Sequence, residues 1–237
     1  MRLDKFVCKS TALNKQQALQ VITNSEILVN ELVVTEPGFQ VHENNTISLN
    51  DEVLTARPFR YLLMHKPANT ICSNIDEVYP SVLNLLDIEH ISELHIAGRL
   101  DVDTTGLILI TDDGRWTFNI TLPNNGCKKV YRVGLSRDCN DHVNDQFKQG
   151  IQLQGETKLT LPALLDIISS REVLLTLTEG KFHQVKRMFA AVGNRVVSLH
   201  REQIGKVNLD VKEGQWRSLT AQEVQSFYYS ENHDTEE

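Results

Sequence analysis

Three short stretches of this 237-residue chain hold residue types that can do chemistry together. The first is Gly98-Arg99-Leu100-Asp101-Val102-Asp103-Thr104-Thr105-Gly106, a tight polar loop with carboxylates at 101 and 103. An ionised carboxylate in such a loop can serve as a nucleophile or as a general base. The loop runs into Leu107-Ile108-Leu109-Ile110, an unbroken apolar run closed by Asp112-Asp113-Gly114. That pattern predicts a strand buried on both faces, followed by a turn. Function gathers on loops that a rigid scaffold holds, so Asp101 is the first candidate. It also fits an ordinary turn or cap aspartate. Asp103, Asp112 and Asp113 are its rivals, the last two reading as plain turn chemistry.

The second stretch is Gly180-Lys181-Phe182-His183-Gln184-Val185-Lys186-Arg187-Met188. Lys186 and Arg187 are either solvated or set against a carboxylate or a phosphate. His183 and Gln184 fall in the first turn of an expected helix, where free backbone N–H groups favour anions. The third is Val130-Tyr131-Arg132-Val133, an alternating segment read as a strand. Tyr131 is a core ring or a platform on which a base stacks. There is no Gly-x-x-x-x-Gly-Lys-Ser/Thr loop and no His-Glu-x-x-His, so nucleotide hydrolysis and zinc chemistry lack support.

The elements that must position these residues follow from pattern. Leu3, Phe6 and Val7 suit one face of a short helix, and Asn14 can cap a second helix running to about Asn24. Short β segments follow at Ile27–Val29, Leu32–Val34 and Thr46–Leu49, with Asn30-Glu31 as a turn. Arg57-Pro58 marks a boundary. The resulting division is a small unit at 1–57, a linker at 58–62 that runs into a strand at Tyr61–Met64, a larger domain at 63–230, and an acidic, disordered tail at 231–237. In the larger domain, helices are expected at Ser81–Leu86, Arg115–Leu122, Asp141–Gln149, Lys181–Val192 and Ala221–Tyr228. Phe182, Val185, Phe189 and Val192 form the apolar face of the fourth, which Gly193 ends. A hairpin at Ala163–Ile168 and Val173–Leu177 and strands at Val196–Leu199, Val207–Val211 and Trp216–Leu219 complete the pattern. Strands outnumber helices without a βαβ alternation, which predicts an α+β fold with a mostly antiparallel mixed sheet flanked by helices.

Bulk properties set limits. The composition, 41% hydrophobic and 23% charged, is that of a globular protein. No apolar run approaches the ~20 residues of a membrane span, and Met1-Arg2-Leu3-Asp4-Lys5 lacks the features of a secretory signal. Cys8, Cys72, Cys127 and Cys139 are scattered and read as reduced thiols of a cytoplasmic protein. The net charge of -7 argues against coating nucleic acid non-specifically. Bases nevertheless concentrate locally. From Lys181 to Lys206 there are six Lys/Arg against the single acid Glu202, and the first fifteen residues hold four bases and one acid.

Taken together, Gly98-Arg99-Leu100-Asp101 with Thr104-Thr105-Gly106-Leu107, Lys129-Val130-Tyr131, and Gly180 to Phe189 resemble the RsuA branch of the RNA pseudouridine synthases. The N-terminal unit, two short helices followed by β segments with bases on the helices, resembles the S4-type RNA-binding module. The resemblance covers Arg2 to about Phe227. The His183-Gln184 pair is most similar to members acting on 16S rRNA, since large-subunit relatives usually carry a different pair there.

The resemblance implies a cofactor-independent isomerase, without a metal, that converts a uridine 516-type site of 16S rRNA to pseudouridine on a flipped-out nucleotide. It implies that Asp101 is the catalytic carboxylate, that Tyr131 stacks on the uracil and helps move a proton, and that Lys186 keeps Asp101 ionised. Val185 would be an apolar wall below the base. Arg99 would hold the RNA, and His183, Gln184 and Arg187 would bind substrate. The expected partner is 16S rRNA or a partly assembled small subunit, with no membrane, and the expected state is a monomer. Relatives commonly have Asn-Lys-Pro where this chain has His65-Lys66-Pro67, so position 65 is given no role. The alternatives are a non-catalytic rRNA-binding or ribosome-assembly module, a large-subunit synthase of the same branch, and a glycosidase-like enzyme using Asp103 as a second carboxylate.

Overall fold

The computed structural model describes residues 1–140 and 142–228. The chain divides into two compact units, Met1–Phe59 and Arg60–Glu237.

The first unit opens with α1 (Leu3–Ser10) and α2 (Lys15–Thr23). Asn14 starts α2: its side chain accepts from the Gln17 N–H at 3.0 Å while Gln17 Oε1 accepts from the Asn14 N–H at 2.9 Å. This reciprocal pair satisfies donors that the helix itself leaves open. β1 (Ile27–Val29) and β2 (Leu32–Val33) pair through Asn30-Glu31, both at positive φ, as a tight two-residue hairpin requires. Asn50-Asp51 repeats that turn between β3 (Ile47–Leu49) and β4 (Glu52–Val53). The sequence reading did not anticipate β4. The sheet order is β2-β1-β3-β4. Leu3, Val7, Ala18, Ile22, Ile27 and Ile47 form the small core.

The second unit contains β5 (Tyr61–Lys66), β6 (His95–Ala97), β7 (Thr105–Thr111), α3 (Gly114–Thr121), β8 (Lys129–Leu135) and α4 (His142–Gln149). It continues with β9 (Leu164–Ser169), β10 (Glu172–Leu177), α5 (Gln184–Ala191), β11 (Val196–Ile204), β12 (Val207–Asn208), β13 (Trp216–Ser218) and α6 (Ala221–Gln225). One sheet runs β13-β5-β7-β11-β8-β10-β9, with β6 added to β7 and β12 to β11. Its β7–β11 pair is parallel and its other described pairs are antiparallel, so the unit is α+β as expected.

β7 is the expected centre. Leu107, Ile108, Leu109 and Ile110 are all fully buried. Ile108 and Ile110 pack with Leu62, Met64 and Leu94, whereas Leu107 and Leu109 pack with Leu63, Trp116 and Ile204. Each alternating pair therefore feeds a different core, which is why the run is apolar without a break. Asp113 accepts from the N–H groups of Arg115 and Trp116 and caps α3.

Several boundaries differ from the sequence reading. Tyr61 and Leu62 pair with Thr111 and Ile110, so they are sheet rather than linker. Ser81–Leu86 holds only a single turn of tight helix at Val82–Leu85. The helix expected from Lys181 starts at Gln184, after His183 in the left-handed region at φ 48°. The last helix stops at Gln225 rather than Tyr228. The short strand β6 was not expected. The tail at 231–237 and the proposed helix start at Asp141 lie outside the described residues. Among the described residues no helix is long and apolar enough to cross a membrane.

Candidate active site

The loop between β6 and β7 carries the first stretch. It is braced from behind by Lys66, the last residue of β5, which is fully buried. Its ammonium donates to the carbonyls of Pro67 at 3.0 Å, Val102 at 3.3 Å and Thr104 at 2.9 Å. Burial holds this amine below the usual lysine range, against the opposing pull of Cys72, Asp103 and Asp101. The Thr104 N–H closes the loop onto the Asp101 carbonyl at 3.1 Å.

Helix α5 brings a cation to this loop. Lys186 Nζ lies 3.1 Å from Asp101 Oδ2 and 2.7 and 2.9 Å from the two oxygens of Asp103. His183 Nε2 lies 3.5 Å from Asp101 Oδ1. Burial acts to lower the Lys186 pKa, but its hydrogen bonds to Asp103 and Asp101 outweigh that and raise it. Burial likewise acts to raise the Asp103 carboxyl, and the Lys186 hydrogen bond and charge hold it below the ordinary range.

Tyr131 comes from β8 and packs against two of the apolar clusters. Its hydroxyl accepts from Arg201 Nη1 at 3.3 Å. Arg201, on β11, is 2% exposed; it also donates from Nε to the Leu107 carbonyl at 2.7 Å and from Nη2 to the Gly98 carbonyl at 2.9 Å. One buried guanidinium thus ties the tyrosine to the start of the Asp101 loop. The strands meet closely at this point. A Cβ on Gly106, whose φ is +112°, would lie 2.3 Å from the Arg201 carbonyl oxygen.

These groups line one cavity of about 960 Å³. Asp101, Arg99, Tyr131, His183 and Lys186 share it, as do Asp103, Phe182 and Arg201. Gln184, Val185 and Arg187 are not brought to it. Gln184 is buried, donating to Glu179 Oε1 at 2.7 Å and accepting from the Lys181 N–H at 2.8 Å. Val185 is core, in a cluster with Met188 and Phe189. Arg187 is bonded to the Phe182 and Gln154 carbonyls and to Glu156. Successive helical residues point about 100° apart, so Lys186 faces the loop while its neighbours cannot. Phe182, expected on the buried stripe, is 76% exposed because the helix starts after it.

Sequence reasoning missed Arg201 and Lys66. In the sequence Arg201 is one of several bases between Lys181 and Lys206, and only the β7–β11 pairing singles it out. Asp103, in sequence a rival of Asp101 or the second carboxylate of a glycosidase-like site, shares the cation. Among the described residues no group of three or more His, Cys, Asp or Glu is placed to hold a metal ion. The arrangement offers a carboxylate beside a cation, an aromatic ring with a positioned hydroxyl, and room for a planar ligand.

Comparison with known proteins points the same way. Residues 60–191 match the model of the RNA pseudouridylate synthase family, and residues 1–47 match the S4 domain. A protein of Vibrio cholerae named ribosomal small subunit pseudouridine synthase A is 46% identical over 230 residues, covering 96% of this chain and 100% of that one. Its namesake in Escherichia coli is 42% identical, covering 95% and 99%. A solved structure described as a pseudouridylate synthase aligns with a TM-score of 0.71 at 42% identity, covering 96% of this chain and 99% of that chain.

Proposed function

The chain belongs to the RNA pseudouridylate synthase family, and on that premise we propose that it isomerises one uridine of 16S rRNA, the uridine 516-type site, to pseudouridine. The names of its relatives support the small-subunit substrate, and the S4 domain supports docking to rRNA. The partner is 16S rRNA or a partly assembled small subunit, met by a cytoplasmic monomer. The observation that carries the reading is the Asp101 carboxylate, 3.1 Å from Lys186 in a cavity that Tyr131 also lines.

In this mechanism the target nucleotide leaves its stack, at a cost of roughly a few kcal/mol. A ring platform returns ~1–3 kcal/mol per base, and Tyr131 is that platform. Asp101 attacks the flipped nucleotide as a nucleophile. The N1–C1′ bond breaks, the uracil turns over, and a C5–C1′ bond forms as the bond to Asp101 breaks, which returns the carboxylate. C5 loses its proton and N1 gains one, so product and substrate have the same atoms and no cofactor is consumed. Lys186 supplies positive charge beside the carboxylate. The Tyr131 hydroxyl accepts from Arg201, which leaves its own proton free to enter the transfer. Arg99, exposed at the cavity, meets the RNA backbone. Gln184, Val185 and Arg187 support the turn and the core behind the site instead of touching the base.

The test uses 16S rRNA transcribed with uridine tritiated at C5. The protein releases tritium to water without free uracil, whereas Asp101→Asn binds the RNA and releases at least ~1000-fold less, the loss expected when a covalent nucleophile is removed. Release by both moves the chemistry off Asp101. Release by neither, on naked RNA and on assembling subunits alike, makes the chain an rRNA-binding module. Release only from large-subunit rRNA changes the substrate.

A further inference from the structure

Phe182 is the anomaly of the site. It is a large apolar ring left 76% exposed, on a chain segment that is otherwise held firmly. Arg187 donates to the Phe182 carbonyl at 3.0 Å. Gln184 accepts from the Lys181 N–H at 2.8 Å and donates to the buried Glu179 at 2.7 Å. The backbone on both sides of the ring is therefore fixed while the ring itself stands in water. Among the described residues the His183 ring lies flat against it, with ring centroids 3.7 Å apart and planes 22° from parallel. His183 in turn reaches Asp101 Oδ1 at 3.5 Å, and both rings line the cavity that holds Asp101. Arg99, on the same cavity, has no hydrogen-bond or ion-pair partner among the described residues.

We infer that the Phe182–His183 pair is a second stacking platform, which takes an unpaired base adjacent to the flipped uridine. The inference rests on the proposed RNA reading and adds a flanking-nucleotide subsite to it. A rigid exposed ring loses little conformational freedom when a base covers it, and any base offers a π-face. One face of Phe182 is covered by the imidazole, so the base stacks on the other. An exposed cation and an exposed aromatic ring on one cavity suit single-stranded RNA, the ring taking the base and the cation a phosphate. With the target nucleotide extruded, its neighbour has lost a stacking partner in the RNA, and Phe182 replaces it. The pair thereby stabilises the opened RNA.

The experiment uses the full chain and 16S rRNA ligated around a synthetic segment. The segment carries C5-tritiated uridine at the target and an abasic nucleotide on its 5′ or 3′ side in turn. With intact RNA, Phe182→Ala lowers kcat/KM about 10-fold, within the range one stacked base supports. Phe182→Tyr and Phe182→Trp restore it, and Phe182→Leu does not. The abasic nucleotide on one side costs the wild type a similar factor and costs Phe182→Ala nothing further, the coupling expected of direct partners. Equal losses for both proteins on both abasic RNAs would overturn the platform, as would an unchanged kcat/KM in Phe182→Ala or rescue by leucine; in each of these cases the wild type still releases tritium and the proposed function stands. A wild type that releases no tritium from intact RNA overturns the function and the platform together.

Discussion

Lys186 shows how a single side chain serves two carboxylates. Its ammonium bonds Asp101 once and Asp103 twice, so Asp103 takes much of its charge. The linked pKa shifts determine the pH window. Lys186 is raised, so its contribution is complete below the ordinary lysine value and is lost as pH rises through the raised one. Asp103 is lowered, so its contribution is complete above the ordinary carboxylate value and is lost as pH falls through the lowered one. Between those limits the pair is charged on both sides. Replacing the lysine lets the Asp103 carboxyl protonate at higher pH. Lys186→Met is therefore expected to move the Asp103 titration, followed by NMR of its carboxyl carbon, upward by about one pH unit or more, the size of effect an adjacent opposite charge exerts. An unmoved titration would show that Lys186 does not hold Asp103 ionised. Arg201 is a buried cation whose three donors fix a tyrosine, a carbonyl of β7 and the start of the Asp101 loop.

At the scale of elements, the site depends on how closely β7 approaches β11. These strands pair in parallel at Thr105 with His200 and at Gly106 with Arg201. This contact sets Arg201 under Tyr131 and sets the end of the Asp101 loop. Gly106→Ala adds a methyl group 2.3 Å from the Arg201 carbonyl oxygen, at a φ that side chains rarely adopt. Neither backbone can yield without breaking the pairing. Urea unfolding is expected to show a loss of about 3 kcal/mol or more, from strain and overpacking together. Gly155 also has a positive φ, +79°, but a Cβ there meets nothing within 4 Å. Gly155→Ala should cost only about 1 kcal/mol, the conformational part. Equal losses at the two positions would mean that the strand contact is not what excludes a side chain.

For the whole molecule, the net charge of -7 and the expected RNA substrate conflict only on average. The charges that matter are local: Arg99, Lys181 and Lys186 at the cavity, and Arg2, Lys5 and Lys15 in the first unit. RNA affinity measured against salt concentration should fall with a slope of about 0.7 to 0.9 per phosphate contacted. A flat response would exclude backbone contacts from both units. Each unit has its own apolar core, that of Met1–Phe59 being the smaller. A core of that size leaves a narrow margin of stability.

Much was legible in the sequence because local chemistry writes it there. The unbroken run Leu107–Ile110 could only be a strand covered on both faces. Asn14 announced a helix start, and Asn30-Glu31 a turn. The carboxylate at 101 and the cation at 186 were visible as residue types in two distinctive stretches. Their contact, 3.1 Å in the structure, was expected only through the family resemblance, since no local pattern joins residues 85 apart in the chain. Helical periodicity put Phe182 in the core because it assumes that the helix has already begun. The left-handed His183 delays that start and turns the ring outward. Arg201 could be seen only once β11 lay beside β7, for a base on a strand looks the same in sequence whether it meets water or three acceptors of the protein. Residue types and short spacings therefore determined which groups were available, and tertiary packing decided which of them meet, because strand pairing and helix phase are set by contacts far apart in the chain.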